Sequence, residues 1–275
     1  MNRLPEERKV QVINGLCNGL SLRACSRLFG THRTAIQRLL VRVGDRCDHL
    51  LIDHMRNLEL ENIELDELWT FCGKKEGRLR GEECLNPSLG DQYLFFAIDR
   101  DSKVIPAWAL GKRTPETATE ILHRLRGALN GYRPQLSSDA WTGYVNTIEE
   151  TFGANVDWGT ITKKYESEHA GRGRYAPPRV SKIVKTPLAG QPDPDRICTS
   201  IIERSNLTVR TMQRRFTRLT VAFSRKIENL RAACALHFAY YNFVWQPRTL
   251  GGPSPAMAAN ATDRLWNVAD LVGDC

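Results

Sequence analysis

The chain has 275 residues, 41% hydrophobic and 25% charged, a globular composition that argues against wholesale disorder. No run approaches the roughly 18 uninterrupted apolar residues of a membrane span, and the opening Met1-Asn2-Arg3-Leu4-Pro5-Glu6-Glu7 lacks the apolar core of a secretory signal. The net charge of +8 divides into +4 over residues 1–60, −5 over 61–162 and +9 over 163–275, which suits basic ends that grip phosphate around a carboxylate-rich centre that holds metal.

Residues 6–19 predict an amphipathic helix, with Val10, Ile13 and Leu16 at three-residue spacing. Ser21 caps a second helix ending at Phe29, Gly30 stops it, and Thr31 caps a third over residues 32–43. Ile36, Leu39, Leu40 and Val43 form the apolar face of that third helix, leaving Arg33, Thr34, Gln37 and Arg38 on the other. A short helix, a tight turn and a helix with a polar face outline a helix-turn-helix, and these four side chains would face the major groove. The competing reading is a helical hairpin with a solvated basic face. Residues 44–48 read as a break and 49–60 as a connector helix, so residues 1–60 form the N-terminal domain.

The pattern changes at Asn62. Residues 63–71 alternate apolar and polar side chains, as a strand does. A charged loop over 73–90 leads to a buried strand over 92–98 and a third strand over 103–110, where Pro106 argues for an edge or a bulge. Thr114 caps a helix with Pro115 in its first position. A short strand, 135–138, ends at Asp139, followed by a helix over 141–151 and a strand over 156–162. This order predicts an α/β fold, a mixed sheet flanked by helices. Residues 163–198, with Gly171-Arg172-Gly173-Arg174, read as a mobile loop with little regular structure. A long helical region is predicted over 201–245, broken near 217–220. The second domain is thus 61–246, and 247–275 form a linker and C-terminal tail.

Three carboxylates stand at element positions from which they can converge. Asp66 lies mid-strand, Asp139 at a strand end, and Glu203 in the first turn of a helix. Bunched carboxylates repel unless a cation compensates them. Two Mg²⁺ (or Mn²⁺) ions suit oxygen donors and would assist phosphodiester chemistry. Glu67 competes with Asp66, but adjacent strand residues point to opposite faces, so only one is expected at the site. Glu203, Leu207, Arg210 and Arg214 share a face if the helix is continuous; Arg210 could then hold a phosphate beside the metals, and Asn206 could bond DNA or a ligand carboxylate. Between Ile201 and Arg231 there are eight Lys/Arg against two Asp/Glu, including Arg204, Arg214, Arg215, Arg218, Arg225 and Lys226. That density favours phosphate contact over a merely solvated face. His123, His169 and His237 have no partner at ligand spacing and are read as packing or surface residues. The eight cysteines contain no C-x-x-C pair, so reduced, mostly buried thiols are expected rather than a zinc ribbon or disulfide framework.

Asp66-Glu67-Leu68-Trp69, Ser138-Asp139-Ala140-Trp141-Thr142-Gly143-Tyr144, Ile202-Glu203-Arg204-Ser205-Asn206-Leu207 and the Arg-rich run from Arg214 to Lys226 resemble the bacterial insertion-sequence-one transposases. These are DDE enzymes with a ribonuclease-H-like catalytic core. The resemblance spans residues 63–245 and implies that Asp66, Asp139 and Glu203 are the catalytic, metal-binding triad. It further implies metal-dependent cleavage at element ends and strand transfer to target DNA. The cysteine zinc motif often found at the family's N-terminus is absent, so end recognition would rest on the helix-turn-helix. The partners expected are double-stranded DNA, as element ends and target, and further copies of the chain in a dimer or higher oligomer. No membrane partner is expected; the location expected is the bacterial cytoplasm, at the nucleoid. A nuclease with the same core and a non-enzymatic DNA-binding regulator are the alternatives.

Overall fold

The computed structural model describes residues 4–166, 179–217 and 220–275. His169, Arg218 and the Gly171–Arg174 run therefore lie outside the described residues. Three helices come first: α1 (Glu6–Cys17), α2 (Leu22–Phe29) and α3 (Arg33–His54). The Ser21 hydroxyl accepts the Ala24 N–H at 3.1 Å and so caps α2. Gly30, at φ 60, takes the left-handed conformation that closes it. The next cap falls one residue later than the sequence suggests. His32 Nδ1 accepts the Thr34 N–H at 3.3 Å, while Thr31 donates its hydroxyl to the Phe29 carbonyl at 3.2 Å. The expected break at 44–48 is absent, and α3 runs through it.

The sheet comprises β1 (Asn62–Cys72), β2 (Gly90–Asp99), β3 (Ala107–Gly111), β4 (Gln135–Ser138), β5 (Asp157–Glu166) and β6 (Arg179–Ala189). Their spatial order is β3-β2-β1-β4-β5-β6. The first three form an antiparallel meander; β4 and β5 run parallel to β1, and β6 returns antiparallel to β5. Helices α4 (Pro115–Ala128) and α5 (Gly143–Phe152) connect the parallel strands, and α6 (Ser200–Met212) and α7 (Ile227–Ala239) follow the sheet. This is the α/β mixed sheet with flanking helices expected from the element order, and its strand order is the ribonuclease-H-like one that the resemblance implies.

Alternation along β2 assigns the two faces. Phe95 meets Trp141 and Tyr144, on the α5 side, with ring centroids 5.7 and 6.5 Å away. Phe96, its neighbour, meets Phe238 of α7 at 5.5 Å. Buried residues of α1 and α3 share one apolar cluster with those of the sheet and α7. Beyond residue 247 the chain is not merely a linker and tail: α8 (Pro255–Ala258) and α9 (Val268–Val272) form, and Leu271 and Val272 are buried, with α9 packed on α1 and α3.

Three further expectations need correction. Pro106 precedes β3 rather than lying inside it, because a residue without an N–H cannot join the ladder; the strand is nonetheless an edge strand. Much of the segment read as a loop over 163–198 is strand. β5 extends to Glu166, and Arg179–Ala189 pairs along it as the other edge, with bulges near Trp158 and Lys164. The long helical region is broken, as expected, but the break opens before residue 217. α6 stops at Met212, and α7 begins only at Ile227 before ending in a π-turn at Tyr240–Val244. Arg214 is therefore not on the face shared by Glu203 and Arg210. Among the described residues, all eight cysteines are unpaired, five of them buried. No described helix is long and apolar enough to cross a membrane.

Candidate active site

The parallel strands β1, β4 and β5 all point their carboxyl ends the same way, the usual location of ligand crevices in open α/β sheets. β4 is much shorter than its neighbours. It pairs with β1 only over Asn62–Glu64, opposite Gln135–Ser137, and stops one residue later. Continuing that register puts Asp139 at the level of Asp66, in the gap where β4 no longer separates β1 from β5. A turn fixes Asp139: its Oδ1 accepts the Trp141 N–H at 3.0 Å. Behind it, the Trp158 indole donates to Ser138 Oγ at 3.1 Å.

Asp66 faces the α6 side and is tied to that helix. Asn206 Nδ2 donates to Asp66 Oδ2 at 2.6 Å. Two residues earlier on the same face, buried Glu64 accepts the Ile202 N–H at 2.8 Å. Glu203 stands between these contacts on α6. Its carboxylate accepts from Thr199 Oγ1 at 2.8 Å and pairs with Lys163 of β5. Glu203 is 48% exposed and lies outside the tightest acidic group.

That group is Asp66, Glu67 and Asp139, each offering an oxygen within 4.8 Å of the others. Glu67 does leave β1 on the opposite face from Asp66, as alternation requires. The expectation that this would keep it from the site is not met, because β1 has no strand beside it past Glu64 on that side. Carboxylates from both faces can then approach Asp139 around the open edge.

Burial pushes the Asp66 carboxyl up to about 6. The Glu67 N–H and Asn206 amide oppose the shift, while Asp139 and Glu203 add to it. Burial pushes Glu67 up to about 7, reinforced by Asp139 and opposed by Arg113. Both groups thus sit in desolvated surroundings beside like charge. Asn206 Oδ1 is also buried without a hydrogen-bond partner among the described residues. Crowded hard oxygen donors that lack sufficient positive charge fit Mg²⁺ or Mn²⁺.

The predicted DNA-binding side chains divide by location. Arg33, Thr34 and Arg38 are exposed on α3 and Gln37 is half-buried. Arg33 and Gln37 share a trench with Arg214, Arg215 and Arg225; Arg38 and Lys226 line its continuation. Arg204 is exposed on α6 and Asn206 is bonded to Asp66. Arg210 does not simply reach toward the carboxylates: its guanidinium donates to the Phe216 carbonyl at 3.4 Å. Buried His237 fits the packing role expected of it.

Sequence reading missed Glu64, Arg113, Tyr144 and Lys163. A signal existed for two of them. Glu64 shares the strand face of Asp66, and Arg113 follows β3, which runs parallel to β1 and ends at the same sheet end. Lys163 and Tyr144 become visible only once the strand and helix partners are placed.

The fold and this acidic crevice define an α/β protein of ribonuclease-H-like topology with a carboxylate site at the ends of its parallel strands. No protein-family model matches the chain. It is similar to the insertion element iso-IS1n protein InsB of Shigella dysenteriae, 28% identical over 165 residues, spanning 60% of this chain and 84% of that protein. This homologue bears out the resemblance to the insertion-sequence-one family. Among solved structures, a chain in the crystal structure of the Mos1 strand transfer complex overlaps 58% of each chain, with 14% identity and a TM-score of 0.23. That overlap is too loose to superpose one site on the other.

Proposed function

We propose that the protein is a DNA transposase whose Asp66, Asp139 and Glu203 form the metal-binding catalytic triad. The observation that carries this reading is the meeting of Asp66 and Asp139 where β4 ends, with α6 bonded to Asp66 through Asn206 and carrying Glu203 one turn away. Two divalent cations held there would activate the attacking oxygen and stabilise the leaving oxygen of a phosphodiester.

The chain's own contribution is positioning and charge. Asp66 and Asp139 supply oxygens from fixed backbone, and Asn206 orients Asp66. Lys163 counters the charge on Glu203, whose release from that lysine completes the donor set. Water attacks at the element end and frees a 3′-hydroxyl; that hydroxyl attacks target DNA in the same site. No protein nucleophile is required.

The trench beside α3 supports a DNA substrate. Arg33, Arg38, Arg214, Arg225 and Lys226 line it with no carboxylate paired to them among the described residues. Half-buried Arg215 donates to Ser224 Oγ at 2.9 Å and likewise has no carboxylate partner there. Phosphate groups are the natural counter-charge. In this reading α2 and α3 are the helix-turn-helix that reads the element's ends, and Arg204 and Arg210 extend the basic surface. Residues 1–60 bind DNA, 61–246 perform catalysis, and 247–275 follow as the C-terminal segment. Two ends must be held together, so a homodimer or higher oligomer on DNA is expected, in the bacterial cytoplasm at the nucleoid.

A gel assay with the element's own ends tests the proposal. With Mg²⁺ or Mn²⁺, wild type is expected to cut intact ends and to join pre-cleaved ends to target, while Glu203→Gln loses both by at least about a hundredfold. Cutting without joining would instead identify a nuclease. Metal-independent cutting, or full activity in Glu203→Gln, would remove the mechanism.

A further inference from the structure

Arg113 is held at the mouth of the carboxylate crevice in a way that simple charge compensation does not require. It lies in the turn between β3 and α4, where the Thr114 N–H reaches the Lys112 carbonyl at 2.9 Å. Its guanidinium lies over the Trp141 ring, 4.9 Å from the centroid. Arg113 Nε donates to Glu67 Oε1 at 2.5 Å, and Nη2 pairs with the same oxygen. Nη2 also stands 3.6 Å from Asp139 Oδ2. The other Glu67 oxygen accepts from the Tyr144 hydroxyl at 3.2 Å.

Burial differs sharply within the pair. The Glu67 side chain is 3% exposed, whereas that of Arg113 is 38% exposed. Removing a carboxylate from water is costly, and a buried ion pair often gains no stability over apolar residues of similar size. The arrangement instead fixes a planar guanidinium by stacking on one side and hydrogen bonding on another, while leaving part of it accessible beside Asp139. Such a guanidinium suits a phosphate. The setting requires one. A phosphodiester brought against Asp66, Asp139 and Glu203 adds negative charge to negative charge, and among the described residues the other lysine or arginine in an ion pair with these carboxylates, Lys163, is already engaged with Glu203.

We infer that Arg113 contacts a phosphate of the DNA strand entering the crevice, and that Glu67 is its positioning residue rather than a metal ligand. The inference rests on the transposase reading and extends it. Both oxygens of Glu67 are engaged, one by Arg113 and one by Tyr144. This gives separate tasks to the two neighbouring acids of β1: Asp66 serves the metal site and Glu67 serves the arginine.

The test uses the full chain and a labelled, pre-cleaved duplex carrying the element's end, with binding followed by fluorescence anisotropy in EDTA across a salt series. Arg113→Met is expected to weaken binding about tenfold or more and to reduce the salt slope by about one phosphate contact. Glu67→Gln gives the sharper prediction. Removing a negative charge should strengthen DNA binding by long-range electrostatics alone, yet loss of the anchor is expected to weaken it at least about threefold. The double variant Arg113→Met/Glu67→Gln guards against a folding defect, since it removes both partners. It is expected to melt like wild type and still bind about tenfold more weakly.

Recovery of wild-type affinity in the double variant would overturn the inference and leave Arg113 as a counter-ion only. So would tighter binding by Glu67→Gln. If wild type joins ends and Arg113→Met binds and joins them equally well, this inference fails while the transposase reading stands. If wild type neither binds nor cuts the ends, the transposase reading itself fails.

Discussion

The buried carboxylate of Glu64 ties β1 to the first turn of α6 through the Ile202 N–H. Thr199, the residue at the N-cap of that helix, makes no side-chain capping bond, so Glu64 acts as a cap supplied from another element. Burial raises its carboxyl above the usual range, while the N–H groups of Ile202 and Ile201 oppose the rise. Glu64→Ala leaves a buried donor unpaired and is expected to lower unfolding free energy by about 1–3 kcal/mol in urea titration. A change below about 0.5 kcal/mol, within the range of ordinary surface substitutions, would count against the role. Strand alternation made the shared face of Glu64 and Asp66 legible. The partner of Glu64 was not, because it arrives 138 residues later in the chain.

At the scale of elements, the crossing of α3 and α7 depends on one missing side chain. A Cβ built on Gly44 would stand 2.5 Å from both Cα and Cβ of Ala232. Backbone cannot yield as the far end of a flexible side chain can. Gly44→Ala is expected to force the helices apart and cost about 1–3 kcal/mol, read as a lower denaturation midpoint at unchanged slope. A midpoint equal to that of wild type would show that the crossing relaxes freely. The same glycine explains why the sequence suggested a break in α3. A glycine that permits close packing and one that ends a helix look alike until the partner is known. By contrast, the Ser21 cap, the Gly30 stop and Pro115 at a helix start are local signals, and they locate α2 and α4 well. β6 was obscured for a different reason. Val180, Ile183 and Val184 favour a strand, but lysines are interspersed among them and Gly, Pro and Arg precede them. It forms on the sheet edge, where such exposed charged residues are tolerated.

Across the whole molecule, the charge asymmetry of the sequence has a spatial counterpart. Acidic side chains from the middle of the chain gather where the parallel strands end, and cations from both ends of the sequence share the trench between α3 and residues 214, 215 and 220–229. The residue types at the site were legible because Asp66 and Asp139 lie at strand positions that topology can align. The place of Glu67 was not, since alternation describes which face a side chain leaves from and not where an absent neighbouring strand lets it go. Nor did the pattern disclose Lys163 as the partner of Glu203, because that pairing needs β5 and α6 in place together.

The proposed function requires Asp66 and Asp139 to hold divalent cations. Titration of the intact protein with Mn²⁺ by calorimetry, at pH 8 and pH 5, measures that binding. Burial pushes Asp66 up to about 6, so it is ionised at pH 8 and mostly protonated at pH 5. Protons then compete with the cation as pH falls. Wild type is expected to bind at least about tenfold more weakly at pH 5 than at pH 8, since about one pKa unit separates Asp66 from the lower pH. Asp139→Asn is expected to lose about tenfold or more at pH 8. Equal binding by wild type and Asp139→Asn at pH 8, or wild-type affinity unchanged between the two pH values, would contradict that requirement.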